Sequence, residues 1–234
     1  MRKIIVIIIL AYSIQVSAQK YGGGLEGGFI YSWFFTDSKK ASTEAGRFNF
    51  VYGVFMDKNL TDNFTFSTGL NILGTGGDIL YAESIKMNTT DGLYTLDPNS
   101  KVSYRLRYLE TPFSIKGRTQ EIGYITYFAK VGVSPMLLIQ SRADIEGHVL
   151  DNNDAPITDI KMQQELNIKN DINFFNIGFH IGGGIEYSLG GSTAIIAELL
   201  YTNNFLDVTK DKKDYNNQIS VTNGMVVFKA GIKF

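Results

Sequence analysis

Seven ionisable residues share one parity of alternating segments: Glu26, Glu110, Lys130, His180, Glu186, Glu198 and Lys229. Four carboxylates, two ammonium groups and an imidazole on a common face suit either of two chemistries. Charges cut off from water must be paired, so they can form a salt-bridge network that plugs an enclosed space. Alternatively they can line a narrow gated path for ions or protons. Other chemistry is poorly supplied. Only His148 and His180 are present and cysteine is absent, so a tetrahedral zinc site of nitrogen and sulfur ligands is not expected. Ser134 or Ser188 can be imagined beside His180 as a hydrolytic nucleophile, but no nucleophile-elbow sequence surrounds either. Gly22, Gly24 and Gly27 satisfy G-x-G-x-x-G. That fingerprint works only where it follows a strand and opens a helix, and these glycines lead into a strand. The acids of segment 140–171, among them Asp144, Glu146, Asp151 and Glu165, do not form a calcium loop of the D-x-[DN]-x-[DN]-G type. No cofactor, metal or nucleotide is expected.

The elements that carry these charges read as strands. Between Asn173 and Tyr187, Phe175, Ile177, Phe179, Ile181, Ile185 and Tyr187 alternate with Asn176, Gly178, His180, Gly182, Gly184 and Glu186. Successive strand residues face opposite ways, so one face is apolar and the other is small or polar. The same dyad recurs at Phe64–Leu73, at Leu25–Trp33 and, less cleanly, at Phe48–Phe55. Further strands are expected at about 101–116, 124–139, 192–206 and 218–234, making about eight. Tyr104, Leu106 and Tyr108 lie on one register and Leu109, Phe113 and Ile115 on the next. This change predicts a β-bulge near Tyr108–Glu110, beside Pro112, which cannot donate a ladder hydrogen bond.

Short links near 57–63, 117–123 and 188–191 alternate with longer ones near 36–46, 75–100, 140–171 and 207–217. That asymmetry, with 24 Gly, 13 Tyr and 16 Phe beside only 4 Pro, predicts an all-β, closed, antiparallel, up-and-down transmembrane β-barrel. Short turns and both termini would be periplasmic and the long loops extracellular. Tyr21, Phe64, Tyr124, Tyr187 and Phe234 would form the periplasmic aromatic rim, and Trp33, Phe48, Tyr104, Phe175 and Tyr201 the outer one. The rival is a soluble periplasmic sandwich or lipocalin-like barrel.

Targeting agrees with the barrel. Arg2 and Lys3, the apolar run Ile4 to Leu10 and the small residues Val16-Ser17-Ala18 read as a signal peptide over 1–18, leaving 19–234 as one barrel domain. The apolar run is too short for a permanent transmembrane helix. Without Arg2 and Lys3 the formal net charge moves from −1 to about −3, which argues against a nucleic-acid partner. Val226, Phe228, Ala230, Ile232 and Phe234 form an alternating stripe ending in phenylalanine, the kind of final strand read by the barrel assembly machinery.

The stretch Arg107-Tyr108-Leu109-Glu110-Thr111-Pro112-Phe113-Ser114-Ile115-Lys116 resembles the tyrosine-leucine-glutamate-x-proline signature of the PorT-like outer-membrane β-barrel family of Bacteroidota. The resemblance extends to Tyr127–Ser134, to Gly182-Gly183-Gly184 and to Gly231-Ile232-Lys233-Phe234, with Thr111 in place of the usual aliphatic residue. It implies a barrel of about eight strands; the namesake is associated with type IX secretion, and no catalytic residues come with the family. The expected role is non-enzymatic: a structural, adhesive or accessory part of an envelope complex, acting through extracellular loops. Expected partners are outer-membrane lipid, the barrel assembly machinery and other envelope proteins. A narrow channel and a lipid-modifying enzyme are the alternatives.

Overall fold

The computed structural model describes residues 21–90, 92–147, 149–150, 162–210 and 219–234. The expected signal segment over 1–18 and His148 lie outside them. The described residues form thirteen strands: β1 (Tyr21–Thr36), β2 (Ala41–Asn59), β3 (Phe64–Tyr81), β4 (Ile85–Asn88), β5 (Leu93–Leu96), β6 (Ser100–Glu110), β7 (Phe113–Arg118), β8 (Ile125–Glu146), β9 (Val149–Leu150), β10 (Met162–Asn167), β11 (Phe175–Gly190), β12 (Thr193–Asn204) and β13 (Val221–Lys233).

Eight staves close on themselves. The antiparallel order runs β8, β11, β12, β13, β1, β2, β3 and then β6 with β7, which pairs back onto β8. Strands β6 and β7 are one stave interrupted at Thr111-Pro112, where the proline has no amide hydrogen to give the ladder. The first and last staves are joined along their length, and Gly23 and Phe234 exchange backbone hydrogen bonds of 3.2 and 2.9 Å. The ring therefore has no open edge.

Alternation sets the two faces. Outward positions carry the bulky apolar residues: Phe48 is 78% exposed and Phe50 67% exposed, with Leu25, Phe29, Ile181, Leu199 and Ile232 on the same surface. A continuous apolar belt of this kind has no place in water and matches the hydrocarbon-facing band of a membrane barrel. The soluble rival fails here, because the face that would have been its core points out.

Turns differ between the two ends. At one end, the links between β2 and β3, β7 and β8, and β11 and β12 are tight; in the last, Gly190 and Gly191 take φ of +105° and +63°, which favours glycine. At the other end most connectors are structured. Strands β4, β5 and β9 form a small separate sheet, and β10 pairs with the end of β8. The expected loops at 75–100 and 140–171 thus contain strand, with β3 and β8 running to Tyr81 and Glu146. The expected long link at 36–46 is only the turn between Thr36 and Ala41.

The bulge lies on a different strand from the one expected. Tyr104, Leu106, Tyr108, Glu110, Pro112, Ser114 and Lys116 keep one inward parity throughout, so β6 and β7 do not change register. Their partner does: Arg107 pairs with Gln140 and Tyr108 with Leu138, which leaves Ile139 as the extra residue on β8. Before it, Ser134, Met136 and Leu138 face in; after it, Ser141, Ala143 and Ile145 do. The sequence pattern misleads because Tyr104, Leu106 and Tyr108 are apolar without facing lipid. Tyr104 is accordingly not a rim residue; it is 3% exposed and its hydroxyl lies 2.6 Å from that of Tyr81. The other nine expected rim aromatics all have outward positions.

Glycines on the inward face make room for rings reaching across a narrow interior. A Cβ on Gly184 would lie 2.1 Å from the Ala197 carbonyl and 2.7 Å from the Phe128 ring. Replacing Gly184 by Ala is expected to cost about 1–3 kcal/mol through overpacking, measured by urea unfolding in detergent micelles against an outward control, Gly27→Ala, whose added carbon meets only ordinary contacts.

Candidate functional site

The seven charges expected on the inner face do point inward, but they divide into groups. Lys229, on β13, bridges Glu26 on β1 at 2.7 Å and Glu198 on β12 at 2.6 Å. Lys130, on β8, reaches the other oxygen of Glu198 at 3.1 Å. These four form one buried chain of alternating sign.

Glu186 belongs to a second cluster nearer the tight turns. Lys116 contacts Asp57 at 2.9 Å and Glu186 at 3.0 Å, and Lys233 contacts Glu186 at 3.1 Å and Asp57 at 3.4 Å. Two lysines and two carboxylates thus close a square. The Lys116 ammonium also sits 4.6 Å from the centre of the Phe128 ring, which packs with Phe55 and Ile196.

Glu110 and His180 join no ion pair among the described residues. Glu110 accepts a 3.0 Å hydrogen bond from the Asn71 amide. The His180 ring is held on both sides: Ser114 Oγ lies 2.8 Å from Nε2 and Ser134 Oγ 3.0 Å from Nδ1. A neutral imidazole offers one donor and one acceptor nitrogen, and a hydroxyl complements either. Space for this ring is made by Gly132, where a Cβ would stand 2.7 Å from Nε2. Ser134 is therefore beside His180, as the hydrolase alternative needs. Among the described residues no carboxylate hydrogen-bonds the ring to orient it, and the adjoining cavity of about 20 Å³ has room for about one water.

Above the charges the interior turns apolar. Ile30, Phe34, Leu73, Ile79, Val102, Leu106, Tyr108, Met136 and Leu138 fill it, and the same cluster continues into Ile85, Met87 and Leu96 of the small sheet. That sheet is anchored over the opening: the Asn88 amide donates to Asp171 Oδ2 at 2.9 Å and the Thr90 amide to the Asn167 carbonyl at 3.0 Å.

Asp57, Lys116, Lys233, Asn71 and Ser114 escaped the sequence reading. Parity carries the signal for all five, since Asp57 continues Val51, Gly53 and Phe55, and Lys233 continues Lys229 and Gly231. Asp57 escaped because it fell in an expected link, yet β2 runs to Asn59. The stripe Val226, Phe228, Ala230, Ile232 and Phe234 lies on the outer face, where it meets lipid.

A closed antiparallel ring with an apolar outside and paired charges inside defines the class of outer-membrane β-barrels. Residues 17–163 match the family described as outer membrane protein beta-barrel domain, and the chain belongs to that family. Three solved barrels overlay on it with low sequence identity. OprG from Pseudomonas aeruginosa is 10% identical, with 92% of this chain and 96% of that one covered and a TM-score of 0.47. Ail, the attachment invasion locus protein of Yersinia pestis, is 12% identical over 92% and 99%, with a TM-score of 0.41. The outer membrane protease OmpT from Escherichia coli is 8% identical over 93% and 97%, with a TM-score of 0.42. Overlaps of this quality assign no role. No curated protein matches by sequence.

Lys229 is the link whose loss strands Glu26 and leaves Glu198 with Lys130 as its remaining ion-pair partner among the described residues. Lys229→Met is expected to destabilise the barrel by about 3–5 kcal/mol, because breaking a buried pair strands its partner charge. The double variant Glu26→Gln, Lys229→Met, which removes both charges of that pair and keeps Glu198 with Lys130, is expected to recover part of that loss. Urea unfolding in micelles, followed by tryptophan fluorescence at Trp33, reads both.

Proposed function

We propose that this chain is a non-enzymatic barrel with a sealed lumen, acting through its long-connector end as a structural, adhesive or accessory component of an envelope complex. The supporting observation is the filling of the interior. Paired charges occupy the half near the tight turns, and the other half is closed by apolar packing under the β4–β5–β9 sheet. A solute would have to break buried ion pairs and displace a packed core. The Ser114–His180–Ser134 arrangement is walled in by the same packing, with His180 2% exposed, so no lipid reaches it.

In this reading 1–18 is removed as a signal peptide, and the stripe ending at Phe234 is the address for the barrel assembly machinery. The tight turns and both chain ends face the periplasm, as the short-turn, long-loop asymmetry of such barrels supports. The Arg107–Lys116 stretch supports a place among PorT-like barrels of Bacteroidota, with a secretion complex among the envelope assemblies it can serve.

Planar-bilayer recording tests the sealed lumen: a steady baseline is expected, and reproducible single-channel steps would overturn the reading in favour of a channel. Orientation is read independently. The chain has no cysteine, so Glu83→Cys, at an exposed position beside β4, provides a single thiol. Whole cells treated with a membrane-impermeant maleimide are expected to label it, and labelling only after lysis would reverse the orientation.

A further inference from the structure

We propose that the outward surface where β3, β6 and β8 meet is a binding site for a phosphorylated lipid of the outer leaflet. The proposal rests on the orientation given above, with the long connectors outside.

Arg105 and Arg107 lie on the outward parity of β6, and the bulge at Ile139 turns Gln140, Arg142 and Asp144 outward on β8 beside them. Without that extra residue Arg142 would point into the apolar interior. Acids already hold two of the guanidinium groups. Arg105 contacts Asp144 at 2.5 Å and Glu165 at 3.6 Å, and Arg142 contacts Glu165 at 2.6 Å. Arg107 is exposed and has no carboxylate within 4.0 Å among the described residues. Among the described residues three guanidinium groups meet two carboxylates, which leaves one positive charge in excess, on Arg107.

The height of this cluster is set by its neighbours. On β6 the outward side chain below Arg107 is Leu109, and on β8 Leu137 and Ile139 precede Gln140. On β3, Leu70 and Ile72 lead to Gly74, which pairs with Arg107. On all three staves the lipid-facing surface ends at the same place, where headgroups begin.

Two hollows meet there. A polar cleft of about 300 Å³ is lined by Arg105, Arg107, Arg142 and Gln140, with the Glu165 carboxylate, held by Arg105 and Arg142, also on its wall. Below it an apolar furrow of about 630 Å³ runs over Gly27 between Phe29, Phe50, Tyr52 and Ile72. Asn49, Gly74 and Arg107 line both hollows, so they are continuous. A phosphate in the cleft would receive forked guanidinium hydrogen bonds, for which arginine is better shaped than lysine. An acyl chain attached to it would lie in the furrow. Headgroup and chain together specify an anionic amphiphile, and in the outer leaflet that is a phosphorylated glycolipid.

The test uses the full-length mature barrel, delipidated in neutral detergent, with bound lipid counted by native mass spectrometry. Phosphorylated lipid A is expected to be retained at least about tenfold better than its dephosphorylated form, the effect of losing a charge-assisted hydrogen bond. Arg107→Gln is expected to remove most of that preference. Gly27→Leu, which fills the furrow, is expected to weaken retention while leaving inorganic phosphate competition unchanged. Retention of the heat-modifiable gel shift verifies that each variant is folded. Equal retention of the two lipids by the native protein would overturn the proposal without recourse to any variant. Displacement of the lipid by equimolar inorganic phosphate would also overturn it, pointing to a soluble anion. Because binding is read in micelles, its failure is separable from a failure of the bilayer or labelling results.

Discussion

Every backbone amide and carbonyl that enters hydrocarbon must find its partner within the chain, because no water is there to supply one. The rest of the molecule follows from the way this chain meets that demand. Eight staves pair in sequence until β6 and β7 return to β8, and β1 and β13 are sealed along their length. Closing so few strands produces an interior about wide enough for its own side chains. Each strand then has two fixed obligations: apolar residues outward to lipid, and residues inward that fill a small space.

The interior meets its obligation in two ways along the axis. Toward the tight turns, lysines and acids from β1, β2, β7, β8, β11, β12 and β13 neutralise one another in two clusters. Each charge lies on a different stave from its partner, so the ion pairs also tie the ring across its bore. Toward the long connectors, Phe34, Tyr104, Met136 and their neighbours form a hydrophobic core that continues into the β4–β5–β9 sheet. Such a barrel resembles a soluble protein core at one end and a membrane wall everywhere outside. The function proposed above therefore places the role on the outer surface and the connectors, where a rigid scaffold usually displays it.

One residue redistributes chemistry between these surfaces. Ile139 adds a position to β8 without adding one to β6, so every later side chain on β8 changes face. Ala143 and Ile145 enter the core, and Arg142 and Asp144 leave it for the outside, next to Arg105. Without the shift, the hydrophobic plug would contain an arginine and an aspartate. The bulge is thus a requirement of the core and the origin of the outward arginine cluster at once.

The sequence alone determines the class of fold, the lipid-facing stripes and the parity of the inner charges. These are local consequences of a two-residue period, legible at Phe175–Tyr187 and at Val226–Phe234 without any knowledge of neighbours. Period alone does not say whether an apolar residue faces lipid or core, because both environments select the same side chains. Tyr104 therefore reads as a rim residue and lies in the core, and the bulge that reads onto Tyr108–Glu110 sits at Ile139 on β8. Nor does it say which inward charge meets which. Glu186 and Glu198 look alike in sequence, yet one joins Lys116 and Lys233 and the other Lys130 and Lys229. Those partnerships are set by strand order, register and the stagger of closure, which bring together residues up to 203 positions apart, as in Glu26 and Lys229. Only the closed ring decides them.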